Sequence, residues 1–163
     1  IKPCNIMLAA THNPNSVVLC DWDSSGFFNI QRPGDLHQDT PHDHNENITH
    51  TNPIGTLRYT APEILTGNGE YDPFKLDTWS LACVLVFMLT RKPFFEGRTE
   101  EEVLNSIYTY INSDISVRWC SILENYIGKD GIDFVHRCIT IDLEERISVL
   151  EMVEHPFIKK HLY

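Results

Sequence analysis

Apolar and polar residues fall in distinct blocks along this chain. Two short apolar runs, Ile6 to Leu8 and Val17 to Cys20, flank Asn13-Pro14-Asn15. Asn tolerates left-handed backbone and Pro fixes φ, so the triplet marks a turn. The pattern predicts a small β-hairpin. From Phe27 to Ile54 the chain is polar, with Pro33-Gly34, Pro41 and Pro53 as breakers. That stretch reads as a long loop. Beyond Glu63 the spacing becomes helical. Asp77 to Leu89 is mostly apolar, as expected of a helix buried on all sides. Thr99 with Glu102 predicts a capping box for a helix to about Ile111. Gly131 to Ile139 carries Ile132, Val135 and Ile139 at helical spacing. Ser148 with Glu151 predicts a second capping box, and Pro156 is expected to stop that helix. The expected fold is mainly α (α+β), with a small β-hairpin at the start.

Composition narrows the class. The chain has 163 residues, enough for one core, with 42% hydrophobic and 22% charged residues, an ordinary globular balance. A net charge of −10 argues against nucleic acid, whose phosphates need clustered Lys and Arg. It argues equally against anionic membrane surfaces. The longest apolar run, Leu81 to Leu89, falls short of the roughly 20 residues that span a bilayer, so no membrane segment is expected. No secretion signal opens the sequence. The five cysteines show no CxxC spacing. Cys83 and Cys138 lie in helical apolar patterns and are expected to be buried thiols. A reducing compartment, cytoplasmic or nuclear, is the expectation. Asn47-Ile48-Thr49 matches the glycosylation sequon, which in that context is a chance match. His37, His42, His44 and His50 lie among Asp39, Asp43 and Glu46. Their spacing fits no metal template, and a solvated loop is expected there.

Four segments carry chemistry. Ile1-Lys2-Pro3-Cys4-Asn5 is followed by Cys20-Asp21-Trp22-Asp23. This pairs a cation with an amide and carboxylates, the parts that phosphoryl transfer from a nucleotide uses against phosphate and Mg²⁺. Then come Gly55-Thr56-Leu57-Arg58-Tyr59-Thr60-Ala61-Pro62-Glu63 and Asp77-Thr78-Trp79-Ser80-Leu81. Arg146 follows, ahead of His155-Pro156-Phe157. In this order and spacing the set resembles the C-terminal lobe of a eukaryotic protein kinase of the Ser/Thr type, from Ile1 to about Phe157. The kinase catalytic loop reads H-R-D-L-x-x-x-N. Asn5 takes the place of its Asn, so the catalytic Asp would immediately precede Ile1. The glycine-rich loop and strand lysine of the N-terminal lobe are also missing. The sequence therefore reads as part of a kinase domain over 1–163, itself expected to be inactive.

The resemblance implies transfer of the ATP γ-phosphate to Ser or Thr of a protein substrate, with ATP and Mg²⁺ as cofactors. By the same resemblance Lys2 reaches the transferring phosphate, and Thr56 orients the catalytic base. Asn5 and Asp21 are the implied Mg²⁺ ligands. Glu63 is expected to pair with Arg146, bidentately and largely buried. Asp77 is expected to open the core helix, both as N-cap and as the residue that holds the catalytic loop's backbone. Residues 21–63 form the implied activation segment, with Thr51 and then Thr49 as its phosphosites. Three departures stand out. Trp22 replaces Phe and is expected to fill a similar apolar slot. Asp23 and Ala82 each replace Gly. The alternative they raise is a pseudokinase, acting as a binding or scaffolding domain.

Overall fold

The computed structural model describes residues 1–9, 16–22, 57–67 and 71–162. The expected turn at Asn13-Pro14-Asn15, Asp23, the polar loop with its histidines and sequon, and Thr49, Thr51 and Thr56 lie outside the described residues. The chain divides into two compact units, Asn5–Thr51 and Ile1–Cys4 with Asn52–Tyr163.

The first unit holds the hairpin. Strands β1 (Ile6–Leu8) and β2 (Val17–Leu19) are antiparallel, pairing Ile6 with Leu19, Met7 with Val18 and Leu8 with Val17. Ala9 N–H donates to Ser16 O at 2.7 Å and Cys20 N–H to Asn5 O at 2.9 Å, so the ladder runs past both strand ends. All six strand residues are apolar, and all except Ile6 are exposed.

The second unit is helical. After a 3₁₀ turn at Leu57–Tyr59 come α1 (Pro62–Thr66), α2 (Pro73–Thr90), α3 (Glu100–Asn112), α4 (Ile115–Cys138), α5 (Val149–Glu154) and α6 (Pro156–Leu162). Helix α2 begins earlier than its apolar run suggested. Asp72 is the N-cap: its Oδ1 accepts from Phe74 N–H at 2.8 Å and Lys75 N–H at 3.3 Å, and Pro73 follows at the first helical position. Asp-Pro satisfies two start preferences at once, an accepting side chain and a pre-set φ. Asp77 is therefore not the cap; it lies one turn inside the helix.

At 18 residues α2 is, among the described residues, the helix long and apolar enough by length and composition to cross a membrane. The sequence expectation that length alone excludes a span, drawn from the run Leu81 to Leu89, is therefore not met by the whole helix. What places α2 is packing: Trp79, Ala82, Cys83 and Val86 are fully buried in the core.

Helix α3 realises half of its expected capping box. Thr99 Oγ1 accepts from Glu102 N–H at 3.2 Å, but Glu102 Oε2 reaches back to Arg98 N–H at 2.6 Å, one residue beyond the cap. Helix α4 is longer than the expected segment and contains a kink at Gly128 (φ 62°, ψ −170°), a left-handed φ that glycine takes without steric cost. Three residues on, a Cβ at Gly131 would lie 2.4 Å from Ile127 Cβ, so glycine permits the close approach of the two halves. At α5 both arms of the capping box are present, Ser148 N–H to Glu151 Oε2 at 2.8 Å and Glu151 N–H to Ser148 Oγ at 3.3 Å. Pro156 follows the end of α5, as expected, and also opens α6.

The core gathers around an aromatic group. Trp79 stacks on Phe95 (5.4 Å between ring centroids), Phe95 on Phe94 (4.7 Å), and Phe94 meets Tyr110 and Trp119 edge-on at 5.0 and 5.2 Å. Such pairs add about 0.5–1.5 kcal/mol each beyond area burial. Cys83 and Cys138 are buried thiols, as expected; burial pushes Cys138 up to about 12, and Cys83 upward as well.

Candidate active site

In the hairpin unit, strand pairing brings Asn5 and Asp21 together across 16 residues of sequence. Asn5 Nδ2 donates to Asp21 Oδ2 at 3.0 Å. Cys20 fixes the backbone on the near side, since both its N–H (2.9 Å) and its thiol (3.4 Å) donate to Asn5 O. Asp21 itself has φ 65°. A left-handed conformation costs most residues about 1–2 kcal/mol, and Asp is among the few that adopt it singly. Such backbone persists where surrounding bonds over-determine it. On the far side, Trp22 Nε1–H donates to Leu19 O at 3.1 Å. Trp22, expected to fill an apolar slot, is 62% exposed in this chain. Both side chains carry oxygens of the type a hard divalent cation takes, and the contact between them is made by the Asn5 nitrogen.

In the helical unit, α1 carries Glu63 and the turn before α5 carries Arg146. Their side chains form a fork, Nη1 to Oε1 at 2.6 Å and Nη2 to Oε2 at 2.9 Å. Arg146 also donates from Nε to Thr140 O (2.8 Å), from Nη1 to Lys75 O (3.2 Å) and from Nη2 to Ile141 O (3.5 Å). A guanidinium has five N–H donors, and five acceptors surround this one. Its Cζ lies 4.9 Å from the centroid of the Trp79 ring. The Arg146 side chain is 0% exposed and that of Glu63 11%. The expected pairing is thus present. Trp79 contributes a face and not a bond: its Nε1–H is buried without a hydrogen-bond partner.

Asp77 Oδ1 lies 3.9 Å from the main-chain nitrogen of Ile1. Lys2 belongs to this helical unit and is half-buried, whereas Asn5 and Asp21 belong to the hairpin unit. Sequence reasoning missed the two anchors Cys20 and Trp22. A Cys directly before Asp21, and an indole directly after it, are donors, but nothing in a linear pattern says which carbonyl they meet. It also missed Asp72, whose signal, Asp before Pro, was legible.

The sequence matches the protein kinase domain over residues 1–158, and the chain belongs to that family. It is 37% identical over 108 residues to serine/threonine-protein kinase cds1 of Schizosaccharomyces pombe, covering 63% of this chain and 22% of that protein. It is 29% identical over 136 residues to cyclin-dependent kinase 12 of Caenorhabditis elegans, covering 70% and 18%. With calcium-dependent protein kinase 3 of Plasmodium berghei it shares 33% identity over 106 residues, covering 65% and 18%. The chain thus spans about a fifth of the length of the curated relatives it matches.

Proposed function

We propose that the protein containing this chain is a serine/threonine kinase that transfers the ATP γ-phosphate to protein substrates. The observation that carries this is the Asn5–Asp21 contact at 3.0 Å with Asp21 in left-handed backbone. It brings together the two motif positions that family resemblance assigns to the metal. Asn5 and Asp21 would hold Mg²⁺, which when bound draws phosphate oxygens together and offsets their charge. Lys2 adds a cation for the transferred group. Asp77, beside the Ile1 nitrogen, holds the backbone that leads into this segment. The Glu63–Arg146 fork fixes the end of the 21–63 activation segment on the helical core. Thr56 orients the base, and Thr51 and then Thr49 are the phosphosites of that segment. A cytoplasmic or nuclear setting accompanies this reading.

A second reading, a pseudokinase acting as a scaffold, is favoured by Asp23 and Ala82, where the family motif has Gly. The test is phosphate transfer to a Ser/Thr peptide by the full-length protein and its Asp21→Asn variant. Turnover in the first and loss by orders of magnitude in the second supports the enzyme. Absent turnover in both, with nucleotide binding retained, favours the pseudokinase.

A further inference from the structure

Helix α4 turns back on itself at Gly128, whose φ 62° and ψ −170° fall in a region essentially reserved for glycine. In a straight helix, residues 16 positions apart are separated by about 24 Å. The turn instead brings Cys120, on the first half, to His136, on the second: Sγ and Nε2 are 3.2 Å apart. Tyr110 of α3 completes the group, with its Oη 3.2 Å from the same nitrogen. Tyr110 is buried and Cys120 half-buried. A neutral imidazole nitrogen has one lone pair, so it cannot accept fully from a phenol and a thiol at once. One ion among the three atoms would use all of them. Zn²⁺ bonds of about 2.3 Å to sulfur and about 2.0–2.1 Å to nitrogen or oxygen, at a tetrahedral angle, place S and N roughly 3.5 Å apart and N and O roughly 3.3 Å apart. Both are close to the 3.2 Å observed. Among the described residues no three His, Cys, Asp or Glu gather for a metal; here the third donor is a tyrosine oxygen.

We propose that Cys120, His136 and Tyr110 form a Zn²⁺ site that clasps α3 to both halves of α4, with water as the fourth ligand. Sulfur and imidazole donors suit Zn²⁺ and not Mg²⁺, so the site is separate from the Asn5–Asp21 reading and does not depend on it. Burial lowers the His136 pKa, which leaves the imidazole lone pair open to a metal. Burial pushes the Cys120 thiol and the Tyr110 phenol upward, so both stay protonated without metal. A bound cation reverses that preference at the thiol: the zinc–sulfur bond forms as the thiol proton leaves to solvent, and Tyr110 coordinates as the neutral phenol. The charges of Glu124 and Asp133, which reach Cys120 and His136, favour a cation there.

The experiment uses the full-length protein with Co²⁺ as probe, whose bond to a thiolate gives a charge-transfer band in the near ultraviolet, and with excess Mg²⁺ to occupy oxygen-only sites. The variants are Cys120→Ser, which changes one atom, His136→Gln, and Tyr110→Phe, which keeps the ring against Phe94 and removes only the oxygen. The expected result is a band that saturates with Co²⁺, is bleached by Zn²⁺ and is lost in Cys120→Ser. In His136→Gln and Tyr110→Phe its midpoint should move to higher Co²⁺. Zn²⁺ should raise the thermal unfolding temperature of the parent and leave that of Cys120→Ser unchanged. No band in the parent, or a band of equal size in the parent and Cys120→Ser, overturns the site. A band lost in Cys120→Ser with its midpoint unmoved in His136→Gln and Tyr110→Phe overturns it as well, because the thiol then binds without the other two donors.

Discussion

Arg146 and Asp21 are both charged side chains held by several hydrogen bonds, yet the two regions use those bonds differently. Around Arg146 every donor of the guanidinium has an acceptor, and water is excluded. Around Asp21 the bonds lie at the surface of a hairpin whose strand side chains are mostly exposed. In the first region, low dielectric makes each bond strong and each lost partner expensive. In the second, water competes for the same groups, so the bonds contribute little to stability. What they do supply is a direction for a carboxylate in strained backbone. Stability should therefore concentrate in the helical unit and Mg²⁺ chemistry in the hairpin, and substitutions in the two regions should separate the two readouts.

The largest stability effect is expected at Arg146. Arg146→Ala leaves the Glu63 carboxylate and the carbonyls of Thr140, Lys75 and Ile141 without their donor. Removing one partner of a buried pair costs roughly 3–5 kcal/mol. Arg146→Lys should recover only part of this, because an ammonium cannot reproduce the planar fork. Urea unfolding of the full-length protein measures both. A loss below about 1 kcal/mol for Arg146→Ala, the level of an exposed ion pair, would break the comparison at its strongest point.

Next in size are the helix starts. Asp72→Ala should cost about 1 kcal/mol, since it removes the acceptor of two N–H groups at the head of α2. Asp77→Ala, one turn inside the helix, should stay within about 0.5 kcal/mol. The reverse order would restore Asp77 as the cap.

That pair also shows how far the sequence could be read. Helical periodicity located α2, α3 and the second half of α4, because burying one face leaves a trace in residue spacing. The Glu63–Arg146 pair was legible through motif order, not through any local signal; its partners are 83 residues apart. The apolar run by itself misplaces the start of α2, which Asp72-Pro73 sets, because capping chemistry fixes a helix boundary more sharply than hydrophobicity does. The first half of α4 also leaves a trace, since Trp119, Leu123 and Ile127 recur every fourth residue. In the candidate site, Asn5 and Asp21 were identifiable by residue type. The left-handed φ of Asp21 and the bonds from Cys20 and Trp22 were not, because they depend on where a strand ends in space.

A smaller effect should follow acidification. Tyr110 Oη and Cys120 Sγ both approach His136 Nε2 at 3.2 Å, joining α3 to the two halves of α4. Burial lowers the His136 pKa below its ordinary value, with Asp133 opposing. The unfolded chain therefore binds a proton before the folded one does. The contribution is fully present above the unfolded value of about 6.5 and is lost as pH falls through the folded value. Thermal unfolding should move down between pH 7.5 and 5.5, and His136→Gln should flatten that slope. An equal slope in the variant would assign the pH dependence to other groups.

The smallest stability effect is expected at Asp21, and it tests the comparison from the other side. Asn, like Asp, is enriched in left-handed backbone, so Asp21→Asn keeps φ near 65° without added strain. The side-chain oxygen of Asn can still accept from Asn5 Nδ2, and neither the Cys20–Asn5 nor the Trp22–Leu19 bond involves the Asp21 side chain. The unfolding free energy should stay within about 0.5 kcal/mol of the parent, as for surface substitutions generally. Divalent-cation binding should nevertheless be lost, because a neutral amide does not replace the charge that a hard cation draws from a carboxylate. Unfolding curves and Mn²⁺ binding on the same two proteins read both quantities. A loss of 2 kcal/mol or more would show that the hairpin bonds support the fold, as Arg146 does, and the contrast between the two regions would dissolve.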